Sequence, residues 1–404
     1  MIGYLEALSI IKNSKTISSG AVTILPLAEA CGRVCGQDIL APLDVQPFDN
    51  SAMDGYAVSL ADVMEVPVVL DVCETIAAGD ISEEPYRKGG CAAIMTGAMV
   101  PEWAEVIIPV EQAVRQPDGR VLFSNKPRPG DHIRRRGQDF QKGILAISKG
   151  ARLTPGHIMA LAALGYKSVP VLTKPKTCFI ATGRELQEVG TAPLAKGKIY
   201  NANMPYAVSE LSRMGADCAA TYVVADNPEV FSQRILESFE AEYRLIISSG
   251  AVSAGQFDFV RHTLETMGAE ILFHKVAIKP GKPILLARFP NGVFYFGLPG
   301  NPAATAAGLR FFVQPFLGSY FDVEEETPNY AILDKPFVKK NDLRLFLKAR
   351  VESQPDGRCV VTLLEGQESF MISPFLHMNV WAVIPEMSGI YDAGTPIEIY
   401  PLQR

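Results

Sequence analysis

The spacing of apolar and polar positions changes three times along the chain. A helix is predicted from about Tyr4 to Lys12, followed by a short strand, "AVTILPL", and a second short helix; Pro42 and Pro47 then mark a crossing into different structure. From there to about residue 140, the runs "VPVVLDVCET", "CAAIMTG", "AEVIIPVEQAV" and "RVLFSN" predict strands separated by turns. A β module inserted into a more helical part fits this text, because "LTPGHIMALAALG" follows with Thr154 as N-cap, Pro155 at the first helical position and Gly165 as a stop. Between residues 175 and 322, the buried-looking runs "TCFIATG", "CAATYVVAD" and "YRLIISSG" alternate with helix-length segments at 201–214, 227–241 and 258–267. That rhythm predicts a parallel sheet with helices on both faces. Residues 328–404 return to short strands and turns, an all-β tail.

Composition narrows the classes. The chain has 404 residues, too many for one ordinary core, so two to four domains are expected and an active site could lie between them. Hydrophobic residues make up 48% and charged residues 20%, a globular balance. A formal charge of −6, with no run of like charge longer than Arg134, Arg135 and Arg136, argues against bulk attraction to nucleic acid. Seven scattered cysteines do not read as a disulfide framework and fit a reducing cytoplasm. Every apolar run is interrupted well short of a membrane span, so no membrane association is expected.

The chemistry is expected where buried strands end. In an open parallel sheet, ligands bind beyond the carboxyl ends of strands, which brings together the loops "ATGRELQEVG", "SSGAVSAGQFD" and "GLPGNPAATAAG". Each alone fits plain turn chemistry as well as anion binding. Together they predict an anion cradle that includes Gly183, Ser248, Ser249, Gly250, Ser253, Gly255, Pro299, Gly300, Asn301 and Pro302. The same edge receives Glu185, Asp258 and Asp226, and carboxylates beside an anion site make sense if a divalent cation bridges them to phosphate. Lys275 and Lys279 in "HKVAIKPGKP" are spaced so that one strand would put both on one face, suited to an oxyanion and equally to solvent. The five histidines form no spaced cluster, and the Cys31 and Cys35 pair reads as helical packing, so neither zinc nor histidine catalysis is predicted.

At these residues the chain resembles the molybdopterin molybdenumtransferases, the MoeA proteins related to the carboxy-terminal domain of gephyrin. The segments "FDNSAMDGYAV", "IMTGAMVPEWAEVIIPVE", "RRRGQD", "VAIKPGKP" and "GLPGNP" carry the resemblance in order across nearly the whole chain. It implies an α/β multidomain fold. Residues 1–44 and 141–174 would form a mixed linking domain, 45–140 an inserted β-rich domain, 175–326 a doubly wound, MogA-like molybdopterin-binding domain and 327–404 a β-barrel. The implied activity is insertion of molybdate into adenylylated molybdopterin with release of AMP, supported by Mg2+ and carried out by a homodimer whose site is shared between subunits. Contacts with the molybdopterin adenylyltransferase and with apo-molybdoenzymes or carriers are implied as well. By matching motif, Asp54, Thr96, Asp139, Glu185, Lys275 and Lys279 take the catalytic places, and Glu185, Asp226 and Asp258 the cation.

Three residues depart from the resemblance: Arg184 in "TGREL" replaces an acid, Ala251 in "SSGAVSAG" replaces a glycine, and Gln138 in "RRRGQD" replaces a glutamate. An arginine beside Glu185 weakens cation binding or adds a phosphate contact. An alanine at a position needing φ > 0 costs on the order of 1 kcal/mol. Two other readings stand beside the insertase: a weakly active or non-catalytic pterin-binding scaffold, and an insertase that prefers tungstate. Without the resemblance, Asp49, Asn50, Ser51 and Asp54 could simply build a turn, and "RRRG" a surface patch.

Overall fold

The structure, a computed structural model, describes residues 1–14, 21–190, 193–252 and 259–402. The chain divides into two compact units, one formed by Met1–Thr23, Gly32–Gly36 and Val171–Arg404 and the other by Ile24–Cys31 and Gln37–Pro170. Among the described residues, no helix is long and apolar enough to cross a membrane.

The Gln37–Pro170 unit is built on a six-stranded sheet in the order Val106–Pro109, Gly55–Val58, Gly90–Ile94, Val68–Ile76, Val121–Phe123 and Ala113–Arg115. Successive residues bury opposite faces. Ala57, Ala92 and Ile107 enter one cluster, while their neighbours Val58, Cys91 and Ile108 enter another, as the two-residue period of a strand requires. The helix Pro155–Ala163 starts where its cap predicts: the Thr154 hydroxyl accepts from the His157 N–H at 3.4 Å, and Gly165 follows at φ 81°.

The Val171–Arg404 part holds the α/β layer structure. Its sheet runs Asp217–Val224, Lys176–Thr182, Leu245–Ser249, Phe294–Leu298, Leu285–Arg288 and Glu270–His274. Only the first four strands are parallel; the last two pair antiparallel, because Leu285–Arg288 hairpins directly onto its neighbour with no crossover helix. The runs "TCFIATG", "CAATYVVAD" and "YRLIISSG" all fall in the parallel part, as expected, and the antiparallel edge adds to it. Phe179, Ala181, Ile247 and Phe296 pack on one face with Ala207 and Leu211 of helix Asn203–Arg213. Cys178, Ile180, Ile246 and Tyr295 pack on the other with Phe231, Ile235, Val260 and Leu264 of helices Pro228–Glu240 and Val260–Thr266. Helices on both faces make the sheet doubly wound.

Strands Asn329–Leu333, Cys359–Leu363, Arg344–Ser353, Val380–Ile384 and Pro396–Pro401 pair in a ring that closes on itself. Leu345, Leu347 and Ala349 fill the barrel, while the intervening Phe346 points into the core of the α/β layers beside Phe311 and Trp381. Ile278 and Lys279 add a short parallel pairing to Arg344 and Leu345, which ties the "VAIKPGKP" segment to the barrel wall.

Candidate functional site

Register across the parallel strands sets Ala181 beside Ser249 and Ser249 beside Leu298, so three chains leave the sheet together. Their loops line a cleft of about 980 Å3 with Gly183, Glu185, Ser249, Gly250, Ala251, Pro299, Gly300, Asn301 and Pro302 on its walls. Glycine is required where backbones meet. Gly250 sits at φ 100°, a Cβ there would run into the carbonyl and hydroxyl of Thr182, and its N–H donates to Leu298 O at 2.9 Å. Gly183 donates to Val224 O at 3.2 Å, which holds its loop beside that of Asp226, and the Glu185 carboxylate folds over it so closely that a Cβ would displace it. Ala251 adopts φ 52°, the left-handed conformation for which its missing glycine is suited.

Among the described residues, the charged lining consists of Glu185, Asp226, Lys279 and Lys282. Arg184 reaches Asp226 at 4.0 Å across its Nε, and Lys198 Nζ donates to the Arg184 carbonyl. Among the described residues, no group of three or more His, Cys, Asp or Glu side chains is arranged to hold a metal ion. Glu185 and Asp226 offer the hard oxygen donors that suit magnesium, with Arg184 competing for Asp226. Asp258, Ser253 and Gly255 lie outside the described residues.

Two expected positions fall elsewhere. The chain does not run as one strand from Lys275 to Lys279: Glu270–His274 ends, Lys275 turns through φ 69°, and the next strand is only Ile278–Lys279. The turn arises because Lys275 is held by two partners, its N–H donating to Ile284 O at 3.0 Å and its carbonyl accepting from Ile2 N–H at 3.1 Å. Lys275 therefore does not share a strand face with Lys279 and is not among the residues lining the cleft, whereas Lys282, on the far side of Gly281 at φ 105°, is. Ser248 faces away from the cleft because side chains alternate along a strand; it is fully buried and hydrogen-bonds the Tyr295 hydroxyl, while Ser249 lines the cavity.

The rim holds residues that strand-end reasoning missed: Tyr200, Asn201, Asn203, Gln367, Ser369 and Phe370. Asn203 Nδ2 donates to Gly300 O at 2.7 Å, Asn301 Nδ2 donates to Ser369 Oγ at 2.9 Å, and Ala303 N–H donates to Ser369 O at 2.9 Å. These bonds stitch the 199–203 segment, the "GLPGNP" loop and the barrel loop into one wall. Lys282 repeats the Lys-Pro pair of Lys279 and Pro280 within "KPGKP", a signal that could have found it; the barrel loop carries none.

The remaining predicted residues lie in the Gln37–Pro170 unit. Asp54 Oδ1 accepts from the N–H and the hydroxyl of Thr96, both at 2.7 Å, and the N–H first and the hydroxyl second hold this exposed carboxyl below its ordinary range. Asp49 accepts from Arg136 N–H at 2.8 Å and Arg135 Nη1 at 2.5 Å. Burial alone would raise the Asp49 carboxyl, but these two donors outweigh it and the net shift is downward. Asp44 accepts from Lys142 N–H at 2.8 Å and Arg136 Nε at 2.7 Å, and is likewise lowered by that N–H and then by the guanidinium. Gln138 Oε1 caps the Arg135 N–H at 3.0 Å, and Asp139 is exposed on the following turn.

A doubly wound α/β layer, a closed five-strand barrel and a β-rich unit together define a MoeA-type multidomain fold. Solved structures of molybdopterin biosynthesis MoeA proteins from Pyrococcus match it with TM-scores of 0.81 and 0.85, at 28% and 27% identity and with at least 99% of each chain covered. Residues 2–165 match the MoeA N-terminal region (domain I and II), residues 178–319 the family described as "Probable molybdopterin binding domain", and residues 330–402 the MoeA C-terminal region (domain IV). Molybdopterin molybdenumtransferases of Haemophilus influenzae and Synechococcus elongatus are each 34% identical, over 94% and 95% of both chains respectively. The chain belongs to the MoeA family of molybdopterin molybdenumtransferases.

Proposed function

We propose that the protein inserts molybdate into the dithiolene of adenylylated molybdopterin and releases AMP. The carrying observation is the cleft at the strand ends, where Glu185 and Asp226 face Lys279 and Lys282 within a chain of this family. Lys279 and Lys282 neutralise the doubly charged oxyanion, and the backbone of the "SSGA" and "GLPGNP" loops receives the phosphate link. Glu185 and Asp226 would hold Mg2+, which supplies charge neutralisation at the phosphate. No side-chain nucleophile is needed, since positioning and charge stabilisation suffice to release an adenylate. The reading includes a cytoplasmic homodimer in which Asp54, Thr96 and Asp139 of one copy complete the cleft of the other, and sedimentation as a monomer at micromolar concentration would remove that part.

The test gives purified protein adenylylated molybdopterin, magnesium and molybdate and follows AMP. Release no faster than by Lys279→Ala would sink the catalytic reading and leave a pterin-binding scaffold. Tungstate at matched concentration ranks the two oxyanions.

A further inference from the structure

We propose that Phe370 and Asn201 form a subsite for the flat heteroaromatic ring of the bound ligand, with Lys348 as the residue that positions Phe370. This rests on the reading of the cleft as an adenylylated-pterin site and adds the residues that recognise the ring.

Phe370 lines the cleft yet is 65% exposed. A single exposed apolar side chain on a mobile loop needs no explanation, but this loop is fixed from three sides. Lys348, on the Arg344–Ser353 barrel strand and only 1% exposed, donates from Nζ to Glu368 O at 3.1 Å and Met371 O at 3.2 Å, clamping the carbonyls on either side of Phe370. Gln367 accepts from Lys348 N–H at 3.0 Å and donates to Lys348 O at 2.8 Å. Ser369 is tied through its hydroxyl and carbonyl to Asn301 and Ala303. The cost of ordering the loop is met before any ligand arrives, and what it presents is an aromatic ring held open to the cavity.

Asn201 supplies the second half. It lines the same cleft and is 3% exposed; its Oδ1 accepts from Met204 N–H at 3.2 Å, while its Nδ2 has no partner among the described residues. A buried donor without an acceptor is costly, and an acceptor on a ligand relieves it. The Asn203 to Gly300 bond and the Asn301 to Ser369 bond link the Asn201 segment to the Phe370 loop, so the two hold a fixed relation. An oxyanion or a sugar satisfies the amide alone. A flat ring edged with nitrogen or carbonyl acceptors satisfies both, and adenine and pterin share that chemistry.

Titration calorimetry on the full-length chain tests this with three probes: AMP, ribose 5-phosphate and molybdopterin. Phe370→Leu removes the ring from an exposed position, so the outcome does not hinge on folding. It is expected to weaken one ring-bearing ligand about tenfold while leaving ribose 5-phosphate unchanged. A loss for AMP assigns the subsite to adenine, and a loss for molybdopterin assigns it to pterin. Asn201→Ala weakens the same ligand. Lys348→Met weakens that ligand and not ribose 5-phosphate, and adds nothing in a Phe370→Leu background, which a merely structural role would not produce. Equal affinity of wild type and Phe370→Leu for both ring ligands overturns the proposal even if AMP is released normally, as does failure of the wild type to bind either. Ring-selective binding without AMP release would overturn the insertion reading alone.

Discussion

The acids of the Gln37–Pro170 unit and the charged groups of the cleft follow opposite rules. Asp44 and Asp49 each accept one backbone N–H and one guanidinium donor, so their charge is consumed in holding the chain. Glu185, Lys279 and Lys282, by contrast, make no side-chain hydrogen bond or ion pair among the described residues, although all three line the same cavity. Charge satisfied internally fixes a loop, whereas charge left facing a cavity is available to a ligand. Loss of the first kind should register as stability, and loss of the second as chemistry.

The sharpest test is Lys279→Ala. It is expected to lower kcat/KM for AMP release by about a hundredfold or more, with the melting temperature unchanged. A melting shift comparable to that of Asp49→Ala would break the contrast. Asp49→Ala leaves Arg136 N–H and the Arg135 guanidinium without their acceptor, and denaturant unfolding should show a loss of about 1.5 kcal/mol. Arg184→Ala frees Asp226 from its competing guanidinium, so Mn2+ titration followed by paramagnetic resonance should give about fivefold tighter binding; unchanged affinity would mean the pair does not gate the cation. Acid should discriminate the two regions too. The folded carboxyls of Asp44, Asp49 and Asp54 lie below their unfolded values, so their contribution is whole above about pH 4 and is lost as pH falls through the lowered values. Hydrogen exchange against pH should show residues 49–54 and 135–142 losing protection there and none between pH 5 and 8. The smallest effect is that of Ala251→Gly, which relieves a left-handed alanine and should stabilise by about 0.5 kcal/mol net of the entropy glycine adds to the unfolded chain.

Much of this arrangement was legible because strand ends and glycines are local signals. "TCFIATG" and "LIISSG" each join a buried run to a glycine in a tight place: Gly250 meets the Thr182 backbone, and Gly183 lies under the Glu185 carboxylate. Ala251 was readable as a left-handed position from the resemblance, which places a glycine there, and it adopts φ 52°. The errors came from treating a local period as sufficient. Lys275 and Lys279 have strand spacing, but a bond to Ile2, distant in sequence, bends the chain between them. Ser248 looked like its neighbour Ser249 until the sheet gave each a face. Phe370 and Asn201 carry no motif, since what makes them matter is a buried lysine from one strand and a chain of amide bonds between three loops.

The barrel's shared face bears on how the chain can be cut. Phe346 stacks on Phe311 with centroids 3.9 Å apart, and Trp381 and Tyr400 meet the same ring edge-on. A fragment ending before residue 327 would strip those three aromatics from the Phe311 ring, leaving Tyr4 edge-on and the Arg310 guanidinium against it, and would also remove the Lys348 clamp. The α/β layers and the barrel should therefore melt in a single transition, and evolution could have exchanged the barrel for another module only by rebuilding the core beneath it.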